Sequence, residues 1–469
     1  MKLKIIFIAA LIYASFWVSV DLVQKFQKDA FSHDVLNSPL SGGETTIFNT
    51  SREAFAKPLA NLPTENLRDF TFGNKMFNTK WVTAPASVTS LDGLGPTFNR
   101  MSCAACHFKD GRGRPPLLSD EPMKSMLIRL SVEGIAENGG PLPHPVYGKQ
   151  LNDNAINGVS AEGMAKVIYD EIEGQYPDGS KYSLRKPKYQ FVNMAFGPLG
   201  KDILFSPRVA PAIHGMGLLD AIDDKTILAM SDPDDENADG ISGRPNYVWD
   251  VVNNKKSIGR YGWKANVSTI KEQDAGAAIG DMGITNSLFP NENCPIEQKE
   301  CHAAVKGDTV DMSEKQLDKL SFYIATLAPP ARRDLKDALV KRGARLFERA
   351  KCTSCHMPQI KTGKHEIAEL SYRNIQPYTD LLIHDMGNGL GDGRPDFEAT
   401  GNEWRTPPLW GLGLIKTVNK HSNLLHDGRA RNIEEAVLWH GGEAEQSKQQ
   451  FKNMTKKDRS ALITFLKSL

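Results

Sequence analysis

The chain of 469 residues is long enough for two or three domains, each with a core of its own. Its composition, 40% hydrophobic and 24% charged, is that of a globular protein. A net charge of +1 gives no reason to expect nucleic acid or an anionic membrane as a partner.

The N-terminus opens Met1-Lys2-Leu3-Lys4, continues as an apolar run from Ile5 to Val20 and meets Asp21. A basic start followed by an apolar stretch marks an exported chain. Residues 1–22 are therefore expected to be a signal peptide or an N-terminal anchor, and the protein to be periplasmic. The run is slightly long for a signal and slightly short for a membrane span. No small-x-small cleavage site closes it, so both readings stay open, and membrane contact is expected only through such an anchor.

Two CxxCH motifs follow, Cys103-Ala104-Ala105-Cys106-His107 and Cys352-Thr353-Ser354-Cys355-His356. Each reads as a covalent haem c site. Two thiols two residues apart add across adjacent vinyl groups of the haem, and the histidine that follows reaches the iron as its proximal ligand. A zinc ribbon would need both cysteine pairs on one ion, and a thioredoxin-type pair needs no trailing histidine. Two haems c are thus the expected cofactors. In bacteria haem c is attached outside the cytoplasm, which agrees with export.

The motifs sit in related frames. Gly73-Asn74-Lys75-Met76-Phe77 precedes the first and Gly343-Ala344-Arg345-Leu346-Phe347 the second, each as the end of an amphipathic helix. Each frame closes on a similar helix, Leu320–Leu327 and Leu462–Leu469, the first opened by capping chemistry at Ser313 and Glu314. The expected fold is mainly α: two cytochrome c-like domains, 23–330 and 331–469, divided at Pro329-Pro330. The first carries a loop-rich insertion at about 110–310 in this numbering, expected to lie as loops and short helices over the first haem and to build a pocket there. Within it, Asp235, Asn237 and Asp239 stand at alternate positions before Gly240, a pattern suited to Ca²⁺. The glutamate that would complete an EF-hand is absent, since Asn246 stands there, and a solvated acidic turn reads equally well. The two remaining cysteines, Cys294 and Cys301, are expected to form a local disulfide in an oxidising compartment; His302 beside them raises a metal site that lacks a fourth ligand.

After the second motif come Tyr378–Gly387, Thr406-Pro407-Pro408-Leu409-Trp410 and His426–Gly442. In order and spacing these segments resemble the C-terminal half of bacterial di-haem cytochrome c peroxidases and their relative MauG, with the best match to the di-haem oxidoreductase branch, labelled peroxidase or thiol oxidoreductase. The resemblance covers residues 50–469. In the peroxidases a methionine is the distal ligand of the C-terminal haem, and in MauG a tyrosine. Here the matching position is His440, so the resemblance implies a second haem held by His356 and His440. Two imidazoles lower the reduction potential relative to a thioether. His384 and Met386 are rival ligands, and His426 is expected to make a structural hydrogen bond at its turn.

For the first haem the resemblance implies Trp263 as the relay between haems, with Gln273 and Asp281 as the distal pair. A carboxylate beside the iron can shuttle a proton between the two peroxide oxygens, and an amide can orient them. No histidine lies between Phe108 and Pro143 to cap this iron; His144, His214, Met123 and Met126 are the remaining candidates. A five-coordinate first haem is the expectation. The implied function is reduction of hydrogen peroxide at the N-terminal haem, with electrons reaching it through the C-terminal haem from a small redox protein or a quinol-linked donor. Two other readings stand beside it: an oxygenase using O₂ on an organic substrate, and a non-enzymatic electron carrier. A thiol oxidoreductase finds no free cysteine to use.

Overall fold

The computed structural model describes residues 36–307 and 310–469. The segment read as a signal or anchor lies outside them. No helix among the described residues is long and apolar enough to cross a membrane.

In chain order, α1 (Leu67–Asn78) leads to the one-turn helix α2 (Cys103–Cys106). Strands β1 (Met126–Ile135), β2 (Met164–Gln175), β3 (Lys181–Val192) and β4 (Leu204–Val209) follow. Next come α3 (Met216–Asp220), β5 (Tyr247–Asp250), β6 (Lys255–Ile258), α4 (Ile270–Met282) and α5 (Glu314–Ala325). The last part of the chain holds α6 (Ala338–Arg349), β7 (Ile383–Asp385), β8 (Glu403–Arg405), α7 (Ile433–Trp439) and α8 (Lys456–Ser468).

Two helix pairs of one design frame the CxxCH motifs. In α1 the buried residues Phe70, Gly73, Met76 and Phe77 recur at helical spacing and meet Leu317, Leu320 and Tyr323 of α5. In α6 the corresponding residues are Val340, Gly343, Ala344 and Phe347, which meet Ala461, Leu462 and Phe465 of α8. The glycines let the helices touch backbone to backbone. A Cβ on Gly73 would strike the Lys319 carbonyl, and one on Gly343 the Ala461 carbonyl. Caps fix where the closing helices begin: Ser313 and Gln316 form a capping box, and Thr455 accepts from the Asp458 amide. Pro329-Pro330 is extended and joins the segment around Ile47, whose amide donates to the Pro329 carbonyl at 3.3 Å.

The molecule is not mainly α as expected but mixed, 31% helix and 19% strand. The difference lies in the insertion, which builds sheet. Strands β1 and β4 pair antiparallel from Met126↔Val209 to Ser131↔Leu204. Met126, Ile128 and Leu130 alternate onto the core face, while Leu127 and Arg129 turn the other way. Strands β2 and β3 form a long hairpin, Met164↔Val192 to Gln175↔Lys181, around a Pro177-Asp178-Gly179 turn. That hairpin does not stop at the first helix pair but reaches the last helices of the chain. Tyr176 donates to Glu434 of α7 at 2.7 Å, and Arg459 of α8 donates to Asp178 at 2.7 Å. Cys294 and Cys301 form the expected disulfide, and His302 Nε2–H donates to the Pro295 carbonyl of the same loop at 3.1 Å.

Candidate functional site

Both CxxCH motifs border one continuous cavity. His107 ends α2, and its Nδ1–H donates to the Pro211 carbonyl at 2.7 Å. His356 follows a 3₁₀ turn at Cys352–Ser354, and its Nδ1–H donates to the Tyr378 carbonyl at 2.9 Å. A backbone carbonyl can only accept, so each ring carries its proton on Nδ1 and keeps the Nε2 lone pair for a metal. Burial lowers the basicity of both rings, His356 to about 4, so they are neutral at pH 7.

The four cysteines of the motifs are free of disulfides. Burial pushes the Cys106 and Cys352 thiols up to about 12, the opposite of what a freely reactive thiol needs. Among the described residues the two pairs do not converge on one ion; the one His/Cys/Asp/Glu group close enough to hold a metal is Cys355, Asp380 and His384. Guanidinium groups of Arg100, Arg112, Arg129, Arg208 and Arg405 border the same cavity. A largely apolar wall, two Nε2 lone pairs and several buried cations suit a haem, which is apolar in its ring, binds nitrogen at iron and carries two carboxylates.

His440 is the residue that follows α7, and its Nδ1–H donates to the Ala436 carbonyl at 2.7 Å. It lines the cavity near enough to His356 for a charge on either ring to disfavour charge on the other. Its Nε2 is therefore presented as the two proximal ones are. His384 is different. Its Nε2 lies 2.8 Å from Asp380 and its Nδ1 2.7 Å from Glu443. Burial opposes charge on this ring, and the Asp380 carboxylate favours it. A ring with both nitrogens committed to carboxylates is held away from an iron, so His384 is the weaker rival. Met386 lines the cavity and keeps its place.

His426 does not make the turn hydrogen bond expected of it. The turn is closed by Asp427, which accepts from the Arg429 amide at 3.1 Å. The His426 ring instead stacks on Trp404 at 3.7 Å between centroids, and its buried Nε2 makes no hydrogen bond among the described residues, with Asp427 Oδ2 at 3.8 Å. Of the residues considered as caps for the first iron, His144 uses both nitrogens on backbone groups of its own turn and Leu199. Met123 and Met126 are buried in the core away from the cavity lining. His214 lines the cavity, with Nε2 on the Trp410 carbonyl at 3.1 Å and Nδ1 without a partner among the described residues.

The distal candidates lie on α4, whose start is capped by Thr269. Ile270, Gln273, Asp274, Ala277 and Asp281 share its cavity face at helical spacing. Asp281 accepts from Gln150 Nε2 at 2.9 Å and lies close enough to Cys106 and His107 to act on both electrostatically. Gln273 and Asp281 are about 12 Å apart along the helix axis, at 1.5 Å per residue. They border one cavity without meeting. Trp263 is buried, donates to the Val209 carbonyl at 2.9 Å and carries the Arg112 guanidinium 5.0 Å from its ring centre.

Sequence reading missed Asp274. Burial pushes its carboxyl up to about 8, against the Ser321 hydroxyl that donates to it at 2.8 Å. The signal was there: an aspartate in the apolar period of a helix, between Ile270 and Ala278. Arg129 was missed too, and no local pattern could have found it, because its cavity position depends on the β1–β4 register.

In the acidic loop Asp235 accepts from the Asp239 amide at 2.9 Å, Asn237 from the same amide at 2.9 Å and Asp239 from the Ile241 amide at 3.0 Å. These side chains serve the turn itself.

The profile of the family described as "di-haem oxidoreductase, putative peroxidase" matches residues 35–469. No curated protein matches the chain. The match covers nearly the whole sequence, and the chain belongs to this family of di-haem oxidoreductases.

Proposed function

We propose that this di-haem oxidoreductase carries two covalent haems c, on Cys103, Cys106 and His107 and on Cys352, Cys355 and His356, and reduces hydrogen peroxide at the first. Each helix pair is then the frame of a cytochrome c-like unit. The observation that carries the reading is an asymmetry in one cavity. The second motif has a further histidine, His440, with its Nε2 free. The first faces a helix whose cavity side offers Gln273, Asp274 and Asp281. A haem with two imidazoles passes electrons, whereas one with polar groups beside an open face can do chemistry on a small oxidant.

A bound haem supplies the iron at which peroxide is held and reduced. Around it, Asp281 is placed to take a proton from one peroxide oxygen and return it to the other, and Gln150 holds the carboxylate in position. Gln273 supplies an amide at the other end of the α4 face. Trp263 links the two halves: its indole N–H is tied to β4 and its backbone carbonyl accepts from the Arg405 amide at 2.9 Å, on β8 of the second half. The Arg112 cation over its ring disfavours removing an electron from it, so Trp263 serves as a tunnelling bridge rather than a resting place for charge. The electron donor is a small redox protein or a quinol-linked carrier, met outside the cytoplasm where haem c is attached. Asp235, Asn237 and Asp239 accept backbone amides in their turn and keep lone pairs beyond those bonds, so they remain the candidate ligands for Ca²⁺.

Mixing the ferric holoprotein with one equivalent of hydrogen peroxide and following the Soret band tests the reading. A rapid shift with loss of high-spin features is expected. No change over minutes would retire it in favour of an electron carrier or an oxygenase. The distance between Gln273 and Asp281 favours the oxygenase as the second reading, since O₂ binding does not need the pair. Asp281→Ala separates the two: peroxide turnover falls by about 10²–10⁴-fold if the carboxylate shuttles protons, and turnover unchanged in that variant would point to O₂.

A further inference from the structure

Three tryptophans and one tyrosine border the cavity among the described residues, and they differ in what faces them. Trp263 lies under Arg112 at 5.0 Å and Trp404 under the buried Lys264 ammonium at 4.3 Å. A positive charge on the ring face opposes loss of an electron, because the product is itself a cation. All three indoles also give their N–H to backbone carbonyls, Trp263 to Val209, Trp404 to Leu390 and Trp410 to Ser41. A peptide carbonyl is not a base that can keep the proton.

Tyr261 carries no cation over its ring face among the described residues, and the Arg260 and Arg405 guanidinium groups lie near enough to act on its hydroxyl. Its hydroxyl donates to Asp220 Oδ1 at 2.9 Å, the shorter of its two contacts, with the Met216 carbonyl at 3.2 Å. The other carboxylate oxygen, Oδ2, is 3.2 Å from His365 Nε2. His365 Nδ1 accepts from the Ile367 amide at 3.0 Å, which places the imidazole proton on Nε2 and makes it the donor to Asp220. The carboxylate thus takes two donors on two oxygens. The phenol is 4% exposed and faces the cavity, while the Asp220 side chain at the end of α3 is 26% exposed and opens toward solvent. Burial raises the phenol pKa well above 10, so this hydroxyl does not ionise by itself.

We infer that Tyr261 is a proton-coupled redox station, with Asp220 as its proton acceptor and His365 as the group that holds Asp220. The inference rests on the peroxidase reading for its oxidant, a haem in the cavity oxidised by peroxide. In the step, one electron leaves the phenol for that oxidant. The Tyr261 O–H bond breaks, an O–H bond forms at Asp220 Oδ1, and a neutral phenoxyl radical remains beside a neutral carboxylic acid. One electron from the donor reduces the radical, and the proton returns from Asp220. Of the four aromatic groups compared, only this one has no cation on its ring and a base on its proton, so an oxidising equivalent in the cavity settles there.

The test is electron paramagnetic resonance on ferric holoprotein, frozen shortly after mixing with one equivalent of hydrogen peroxide. A parallel sample is oxidised by a photogenerated ruthenium(III) polypyridyl complex. The Soret band of the peroxide sample reports separately on the peroxidase reading. A tyrosyl signal that narrows with ring-deuterated tyrosine is expected in the native chain and absent from Tyr261→Phe, with the Soret change retained. Asp220→Asn, which keeps the phenol but removes the base, lowers the radical yield about a hundredfold. A signal missing under both oxidants, or unchanged in Tyr261→Phe, overturns the inference. A tyrosyl signal assigned to Tyr261 in the ruthenium arm with no Soret response to peroxide supports the station and retires the peroxidase reading alone.

Discussion

His440 and His356 present the same atom for the same reason. In each ring Nδ1 is spent on a carbonyl, 2.7 Å from Ala436 and 2.9 Å from Tyr378, and Nε2 is left. If both bind one iron, His440→Met replaces an imidazole by a thioether. The second haem's potential then rises by a few tenths of a volt, within the ~0.8 V that axial ligands span. Spectroelectrochemistry checks this, and an unchanged potential would remove His440 from the iron. Asp274 lends itself to a different measurement. An aspartate titrates near 3.8 when unfolded and this one at about 8 when folded. Between those values the folded chain holds a proton that the unfolded chain has lost, so its contribution to stability is complete below the unfolded pKa and is lost as pH rises through the folded one. Asp274→Asn removes the titration. Its stability relative to the native chain should climb with pH between 5 and 8 at up to about 1.4 kcal/mol per unit. Denaturant unfolding at both pH values decides, and parallel pH profiles would show that Asp274 is ionised in the fold.

The helix crossings were legible because their signal is local. Apolar residues at helical spacing, a capping hydroxyl on the closing helix (Ser313, Thr455) and a glycine in the contact face of the opening one (Gly73, Gly343) are each signals within a single element, and the same set occurs twice. Gly343 shows how much rests on it. In a helix interior, glycine to alanine ordinarily stabilises by about 1 kcal/mol. At Gly343 the new methyl meets the Ala461 carbonyl and Phe465 Cβ, backbone that cannot swing aside. The collision outweighs the propensity, and Gly343→Ala is expected to cost about 1–3 kcal/mol net. Gly276→Ala on α4, where the nearest atom is 3.8 Å away, is expected to stabilise by about 1 kcal/mol. Thermal unfolding of the two variants should move in opposite directions, and a common direction would refute the close crossing. The strands were not legible in the same way. Tyr176-Pro177-Asp178-Gly179-Ser180 is a turn sequence between two runs of strand formers, but Lys, Asp and Glu fill much of both runs and hide the alternation. Arg129 reaches the cavity only through the pairing of β1 with β4, and the signal of Asp274 is one polar residue in an apolar helical period, whereas each CxxCH motif carries its chemistry in five consecutive residues.

At the scale of the whole molecule the β2–β3 hairpin is one of the elements that join the two helix frames, alongside a shared hydrophobic core. By sequence it belongs with the first frame, yet its tip and one edge are held by the second. Arg459 of α8 lies 3.7 Å over the Tyr176 ring and donates to Asp178, Arg431 pairs with Glu171 at 3.0 Å, and Arg185 donates to the Arg429 carbonyl at 2.8 Å. Electron transfer through a tunnelling bridge falls steeply with distance, so a clasp that fixes the halves also fixes the rate through Trp263. Arg459 is the centre of the clasp, because it alone meets both the aromatic face and the turn. A desolvated cation on an aromatic ring is worth about 2 kcal/mol, which corresponds to a factor of about 30 in the population of an opened hairpin. Arg459→Ala should therefore speed hydrogen exchange of the amides in 164–192 about 30-fold, while amides of α1 and α5 keep their protection. Equal acceleration in both regions would mean that Arg459 supports global stability rather than a clasp. No acceleration in the hairpin would mean that the two frames are fixed to each other by the cavity wall of β1 and β4 instead.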